Sequence, residues 1–201
     1  MTRLDEEKID GIFASNKKLE QLYPEHIQQL SEKHWTPLNV AYDAAAFLAA
    51  RPESNILDIG SGVGKFCIAG AFQFSDCTFH GIEQRKDLVK HARKISALLQ
   101  IEQVNFMHGS FESLDFTDFD SFYFYNSFYE NIATDDLLID TNIAYSNERY
   151  LQFTTTLFEK LDQLKPGTRL ATYHSADIKW PESYKLKETL YGGRLQFWSK
   201  E

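Results

Sequence analysis

Asp58 stands just ahead of three alternating glycines, Gly60, Gly62 and Gly64, in the stretch LDIGSGVGKF. Glycines let a backbone approach a ligand closely, and the start of a following helix offers unpaired N–H groups. The acid decides what such a loop can hold: a carboxylate here sits badly against a pyrophosphate and well against a cation. A phosphate-cradling G-x-x-x-x-G-K-[ST] pattern fails twice, with Ile59 at its first glycine and Phe66 in place of the hydroxyl. The dinucleotide pattern G-x-G-x-x-G needs a third glycine where Lys65 stands. Glu83 closes the next apolar run, CTFHGIE, twenty-five positions after Asp58 (83 − 58). Alone, Glu83 reads equally well as a solvated carboxylate at a helix start. The third feature is FYFYNSFYENI, Phe122 to Ile132, an aromatic run that stops at the amide of Asn126, with Phe128 and Tyr129 just beyond. Either Asn126 caps a turn and the aromatics are core, or a buried strand delivers an amide to a site.

These residues need elements to hold them. Leu4 to Phe13 reads as a short helix, Pro24 opens another that runs to about Lys33, and Leu38 to Ala50 is alanine-rich and apolar at helical spacing. From Asn55 onward strands and helices alternate. NILDIG, CTFHGIE, VNFMHGSF, DSFYFYN and TRLATYHS are strands; GKFCIAGAFQF, RKDLVKHARKISALLQ and NERYLQFTTTLFEKLDQL are helices. Such alternation predicts an α/β fold, a doubly wound and mainly parallel sheet of seven strands. Strands buried on both faces explain the missing polar alternation in FYFY. The tail, YKLKETLYGGRLQFWSK, predicts a closing antiparallel hairpin turned by the pair Gly192-Gly193. One domain is expected over 1–201, with an N-terminal helical cap over 1–50 and a ligand-binding core over 55–201.

Composition narrows the partners. The 201 residues carry a formal charge of −8, with 43% hydrophobic and 25% charged residues. That balance leaves no basic stripe of the kind that holds nucleic acid non-specifically, so nucleic acid is an unfavoured partner. Cys67 and Cys77 are the only cysteines, and their spacing suits two reduced, buried thiols rather than a disulfide framework or a metal site. No signal-like or membrane-length apolar run is present, and a cytoplasmic protein is expected.

LDIGSGVG resembles the first motif of the class I S-adenosylmethionine-dependent methyltransferases. The resemblance covers about Asn55 to Lys200 and implies S-adenosylmethionine as cofactor. It puts Gly60, Ser61 and Gly62 along the methionine portion of that cofactor and Asp58 toward its amino group. Glu83 takes the ribose hydroxyls and Gln84 lies beside the adenine. Ser110 stands where the family often has an acid for the adenine amine, so Phe111 and backbone groups share that contact. Thr36, before Pro37, resembles a segment at the cofactor's methionine end; it reads equally as a helix cap. Asn126-Ser127-Phe128-Tyr129 follows the outline of methyltransferases that modify amino groups, without their usual prolines. It also resembles, more weakly, the Asn-x-Phe of lysine methyltransferases of the DOT1 type. The resemblance therefore implies methyl transfer to an amino nitrogen of a protein or peptide, with Asn126 and Tyr129 at the reaction centre. O- or C-methylation of a small molecule, and cofactor binding without catalysis, are the alternatives. Tyr42 as a pocket wall, His174 as a proton acceptor, Glu130 as a base or a solvated carboxylate, and the acidic stretch from Thr134 to Asp140 complete the candidates.

Overall fold

The computed structural model describes residues 6–133, 138–140 and 143–201. Of the acidic stretch named above, 134–137 lie outside these. Five helices come first: α1 (Glu6–Ile12), α2 (Asn16–Glu20), α3 (Glu25–Gln28), α4 (Ser31–His34) and α5 (Leu38–Leu48). The helix expected from Pro24 to Lys33 is thus two single turns, parted at Gln29 and Leu30. A four-residue turn cannot sustain itself in water, and α3 persists because Ile27 is buried against the core.

The core alternates as its patterning predicts: β1 (Asn55–Ile59), α6 (Lys65–Gln73), β2 (Thr78–Glu83), α7 (Lys86–Leu98), β3 (Val104–His108), β4 (Ser121–Phe124), α8 (Asn147–Asp162), β5 (Arg169–Tyr173), β6 (Tyr184–Leu190) and β7 (Leu195–Lys200). The strands form one seven-stranded sheet in the order β3-β2-β1-β4-β5-β7-β6. β1 to β5 pair in parallel and β7 joins them antiparallel on β5 and β6. The final hairpin departs from expectation. Its loop spans four residues, Tyr191 to Arg194, with left-handed backbone at Tyr191, Gly192 and Gly193 rather than a two-residue turn.

The aromatic run divides by strand period. Phe122 and Phe124 face the layer containing Phe153, Leu157 and Leu161 of α8, while Tyr123 joins the layer of α5 to α7. There Tyr123 stacks on Phe66 of α6 at 3.9 Å between centroids. β1 splits likewise, with Ile56 on the α6 side and Leu57 and Ile59 on the α8 side. Asp58 shares the side of Ile56, paired in register between Gly81 of β2 and Tyr123 of β4. Because β1 has β2 on one flank and β4 on the other, the chain crosses over in opposite directions there, which opens a crevice above the carboxyl ends.

The N-terminal helices close over that crevice through a side chain from the core. Lys65, the first residue of α6, is buried, and its Nζ donates to Asn16 Oδ1 at 2.7 Å and Glu20 Oε1 at 2.6 Å. Asn16 Oδ1 also accepts from the Leu38 N–H, and the Tyr23 hydroxyl donates to the Val63 carbonyl. Cys67 and Cys77 are buried free thiols, as their spacing suggests.

Candidate active site

A cleft of about 490 Å³ occupies the crevice and gathers residues from eight segments. The loop after β1 supplies Gly60 to Val63. Gly60 has φ 80°, and a Cβ there would fall 2.5 Å from the Ser127 side chain, so the loop after β4 packs directly on it. Gly64 closes the loop in left-handed backbone as the N-cap of α6 with no side-chain cap. Ser61 Oγ is buried without a partner among the described residues.

Two acids face the cleft from adjacent strands. Asp58 is 4% exposed, and its one hydrogen-bond partner among the described residues is the Cys67 thiol, 3.7 Å from Oδ2. Burial pushes its carboxyl up to about 8, with the negative charge of Glu83 adding to the effect. A carboxyl so poorly solvated is held neutral until a cation arrives. Glu83, at the end of β2, accepts the Gly62 N–H at 3.1 Å on Oε2 and the Arg85 N–H at 2.8 Å on Oε1. Burial raises its pKa, opposed by the Arg85 guanidinium. Gln84, Ser110 and Phe111 continue the wall. Ser110 Oγ is taken up by Glu112, donating to its carboxylate at 2.8 Å, and Phe111 stacks on Phe128.

The opposite wall begins where β4 ends. That strand stops at Phe124, two residues before Asn126. Asn126 has φ 37°, a conformation that costs a non-glycine residue energy and that Asn tolerates better than most. Its carbonyl accepts the Tyr129 N–H at 2.9 Å, and the residue lines the cleft with no side-chain hydrogen-bond partner among the described residues. Tyr129 is 43% exposed at the rim. Tyr125 donates its hydroxyl to the Lys33 carbonyl at 3.3 Å and stacks on His174, tying this wall to α4 and β5. Burial, with the Arg194 guanidinium charge adding to it, lowers the pKa of His174, so it is neutral near pH 7.

The structure thus brings Asp58, Gly60, Ser61, Gly62, Glu83, Gln84, Ser110, Phe111, Asn126, Tyr129 and Thr36 to one cleft. Three readings change. Thr36 does not cap α5: Pro37 holds that position, and Thr36 Oγ1 lies 2.9 Å from the Tyr123 hydroxyl. Tyr42 turns away and donates to the Phe13 carbonyl. Glu130 is neither solvated nor a free base, since it is 9% exposed and paired with Arg85. Arg85 and His34, which carried no signal in the sequence, also line the cleft, as does Lys65 of the G-K pair.

Strand order, switch-point crevice and loop geometry are those of a Rossmann-like class I methyltransferase fold. Residues 50–199 match a family described as a methyltransferase domain. The chain belongs to that family. It is 25% identical to an RNA methyltransferase from Salinibacter ruber solved with S-adenosyl-L-homocysteine, over 83% of this chain and 93% of that one, at a TM-score of 0.57. It shares its fold with TrmN from Thermus thermophilus, at 15% identity and a TM-score of 0.62, over 87% of this chain and 52% of that one. A 72-residue stretch is 36% identical to the uncharacterized methyltransferase YcgJ of Bacillus subtilis (strain 168), which is 36% of this chain and 27% of YcgJ. The chain therefore matches about a quarter of that curated relative and half of TrmN. The Salinibacter protein also means that a net charge of −8 does not set nucleic acid aside as a partner. Among the described residues, no helix is long and apolar enough to cross a membrane.

Proposed function

We propose that the protein is an S-adenosylmethionine-dependent methyltransferase of the cytoplasm that modifies an amino nitrogen, with a protein or peptide as first substrate class. Bound in the cleft, the cofactor supplies a methyl group on a positively charged sulfur. The chain's own residues supply everything else. Asp58 offers a buried carboxylate to the cofactor's ammonium, and its raised pKa marks a charge awaiting a counterion. Glu83 accepts the ribose hydroxyls, and Gln84, Ser110 and Phe111 flank the adenine. The Gly60-Ser61-Gly62 backbone borders the methionine portion, with Thr36 across from it.

The observation that carries amine specificity is Asn126, which lines the same cleft as both acids on left-handed backbone and has no side-chain partner among the described residues. Its amide oxygen accepts an N–H of the substrate and aims the nitrogen lone pair at the methyl carbon, an orientation effect. Tyr129 at the rim stacks on or walls off the substrate. His174, neutral near pH 7, is placed to take the proton released. Asn126→Ala should lower kcat and kcat/KM together by about a hundredfold, near 2.7 kcal/mol, with cofactor affinity unchanged. Normal turnover in a stable variant would remove Asn126 from the chemistry.

The likeness to the Salinibacter RNA methyltransferase favours a second reading, in which the nitrogen belongs to a nucleobase. Labelled methyl transfer into fractionated cell extract, followed by protease or ribonuclease digestion, separates the two. Label in neither polymer points to a small-molecule acceptor. No label at all, with cofactor bound, points to a binding protein without catalysis.

A further inference from the structure

Glu83 is the acid assigned above to the ribose diol, yet its carboxylate is already crowded. Oε2 accepts the Gly62 N–H at 3.1 Å; Oε1 accepts the Arg85 N–H at 2.8 Å and Arg85 Nη1 at 3.3 Å. A carboxylate has about four lone-pair directions, so these leave one, whereas a diol needs two. The two backbone donors are fixed by the glycine loop and the end of β2. Only the Nη1 contact is both long and made by a side chain that can turn.

Arg85 has somewhere else to go. Its Nη2 donates to Glu130 Oε2 at 2.6 Å and to the Tyr145 hydroxyl at 2.9 Å, while Nε is buried with no partner. Side-chain exposures of 8% and 11% leave the Arg85–Glu130 pair almost dry. Losing either partner would strand a buried charge, which is costly enough to make the other seek a new one. With Glu130 neutral, the nearest acid left is Glu83.

We propose that Glu130 is a positioning residue for cofactor binding: by holding the Arg85 guanidinium, it lets a ribose diol displace Arg85 Nη1 from the Glu83 carboxylate. This rests on the reading of Glu83 as the ribose acid. The same carboxylate reaches the segment before α8, because Glu130 Oε1 accepts the Ile139 N–H at 2.8 Å and the Tyr145 hydroxyl also donates to the Asp140 carbonyl at 2.9 Å. A diol that displaces Nη1 from Glu83 commits Arg85 wholly to Glu130 and firms that wall of the cleft.

The test is calorimetric titration of full-length wild type, Glu130→Gln and the double variant Arg85→Gln/Glu130→Gln with S-adenosylhomocysteine, which carries the ribose without being turned over. Glu130→Gln keeps an oxygen for the Ile139 N–H and should weaken binding by about tenfold, within the usual span of coupling between neighbouring sites. Adding Arg85→Gln should recover most of that loss, since the competing cation is gone. The 2′,3′-dideoxy analogue, which does not need Glu83, should bind wild type and Glu130→Gln alike. If the double variant fails to melt cooperatively, the analogue comparison on Glu130→Gln decides alone. Equal weakening of both ligands, or wild-type affinity in Glu130→Gln, overturns the proposal. Wild type that binds neither ligand overturns the cofactor reading itself, and the proposal with it.

Discussion

Raising the pH from 6 to 8 should tighten cofactor binding through Asp58. Its carboxyl is held at about 8, against an ordinary 3.8, because burial deprives the charged form of water. A ligand ammonium needs the ionised form. Ionising a group of pKa 8 costs about 2.7 kcal/mol at pH 6 and about 1.4 kcal/mol at pH 7, at 1.36 kcal/mol per unit. The dissociation constant should therefore fall about tenfold from pH 6 to 7 and by less from 7 to 8. The ligand's own amino group, with a pKa of roughly 8, then loses its proton and turns the curve. Stability of the free protein moves the opposite way. Asp58 has a folded value above its unfolded one, so its contribution is full below the unfolded pKa, declines as pH rises and is gone above about 8. Calorimetry at pH 7 in two buffers of different ionisation heat should show a proton released on binding. Asp58→Asn should abolish both the slope and the proton release and should stabilise the free protein above pH 8. A flat dissociation constant in wild type between pH 6 and 7.5, or the same slope in Asp58→Asn, would refute the reasoning.

Glu83→Ala should weaken S-adenosylhomocysteine binding by about 1.5–3 kcal/mol, the loss expected for hydrogen bonds to a charged group, with calorimetry as the check. Lys65→Met strands Asn16 and Glu20, so thermal denaturation should show a loss of about 3 kcal/mol, the low end for a buried pair because Glu20 is partly exposed. Wild-type stability there would mean that the latch holds nothing. Gly60→Ala meets Ser127 at 2.5 Å in left-handed backbone and should abolish cofactor binding measured by titration; unchanged affinity would show that the loop after β4 yields freely.

The core was legible because its signals are local. Periods of two and of 3.6 lie within each segment, and continuous apolar runs mark strands covered on both faces, so β1 to β5 and α5 to α8 fall where the patterning puts them. The failures follow from tertiary override. The stretch after Pro24 has helical composition but breaks at Gln29 and Leu30, where the chain turns so that α4 can reach the cleft rim. The Gly192-Gly193 pair looks like a complete turn, yet Tyr191 and Arg194 are drawn into the loop. Tyr191 binds the Asp43 carboxylate of α5, and Arg194 Nε donates back to the Tyr191 carbonyl.

The site divides along the same line. Asp58, the glycines and Glu83 were readable because a strand followed by a tight loop forces their neighbourhood whatever the rest of the chain does. The pairing of Arg85 with Glu130, a residue the sequence offered only as a base or a solvated carboxylate, was not, since the two are forty-five positions apart and meet only when β2 and the segment after β4 come together above β1. In sequence Glu130 is one acid among 29 acidic residues, and Arg85 one of the 21 Lys and Arg. Folding turns them into a dry ion pair beside the very carboxylate on which ribose recognition would depend. Lys65 makes the same point from the other side of the loop. Its G-K setting invites a phosphate, but the fold buries its charge against Asn16 and Glu20 and so spends it on closing the N-terminal helices over the cleft. Both basic residues nearest the glycine loop are thereby neutralised by protein acids. Asp58 is left facing the cleft with only a thiol for a partner, an arrangement that suits a cation better than a phosphate.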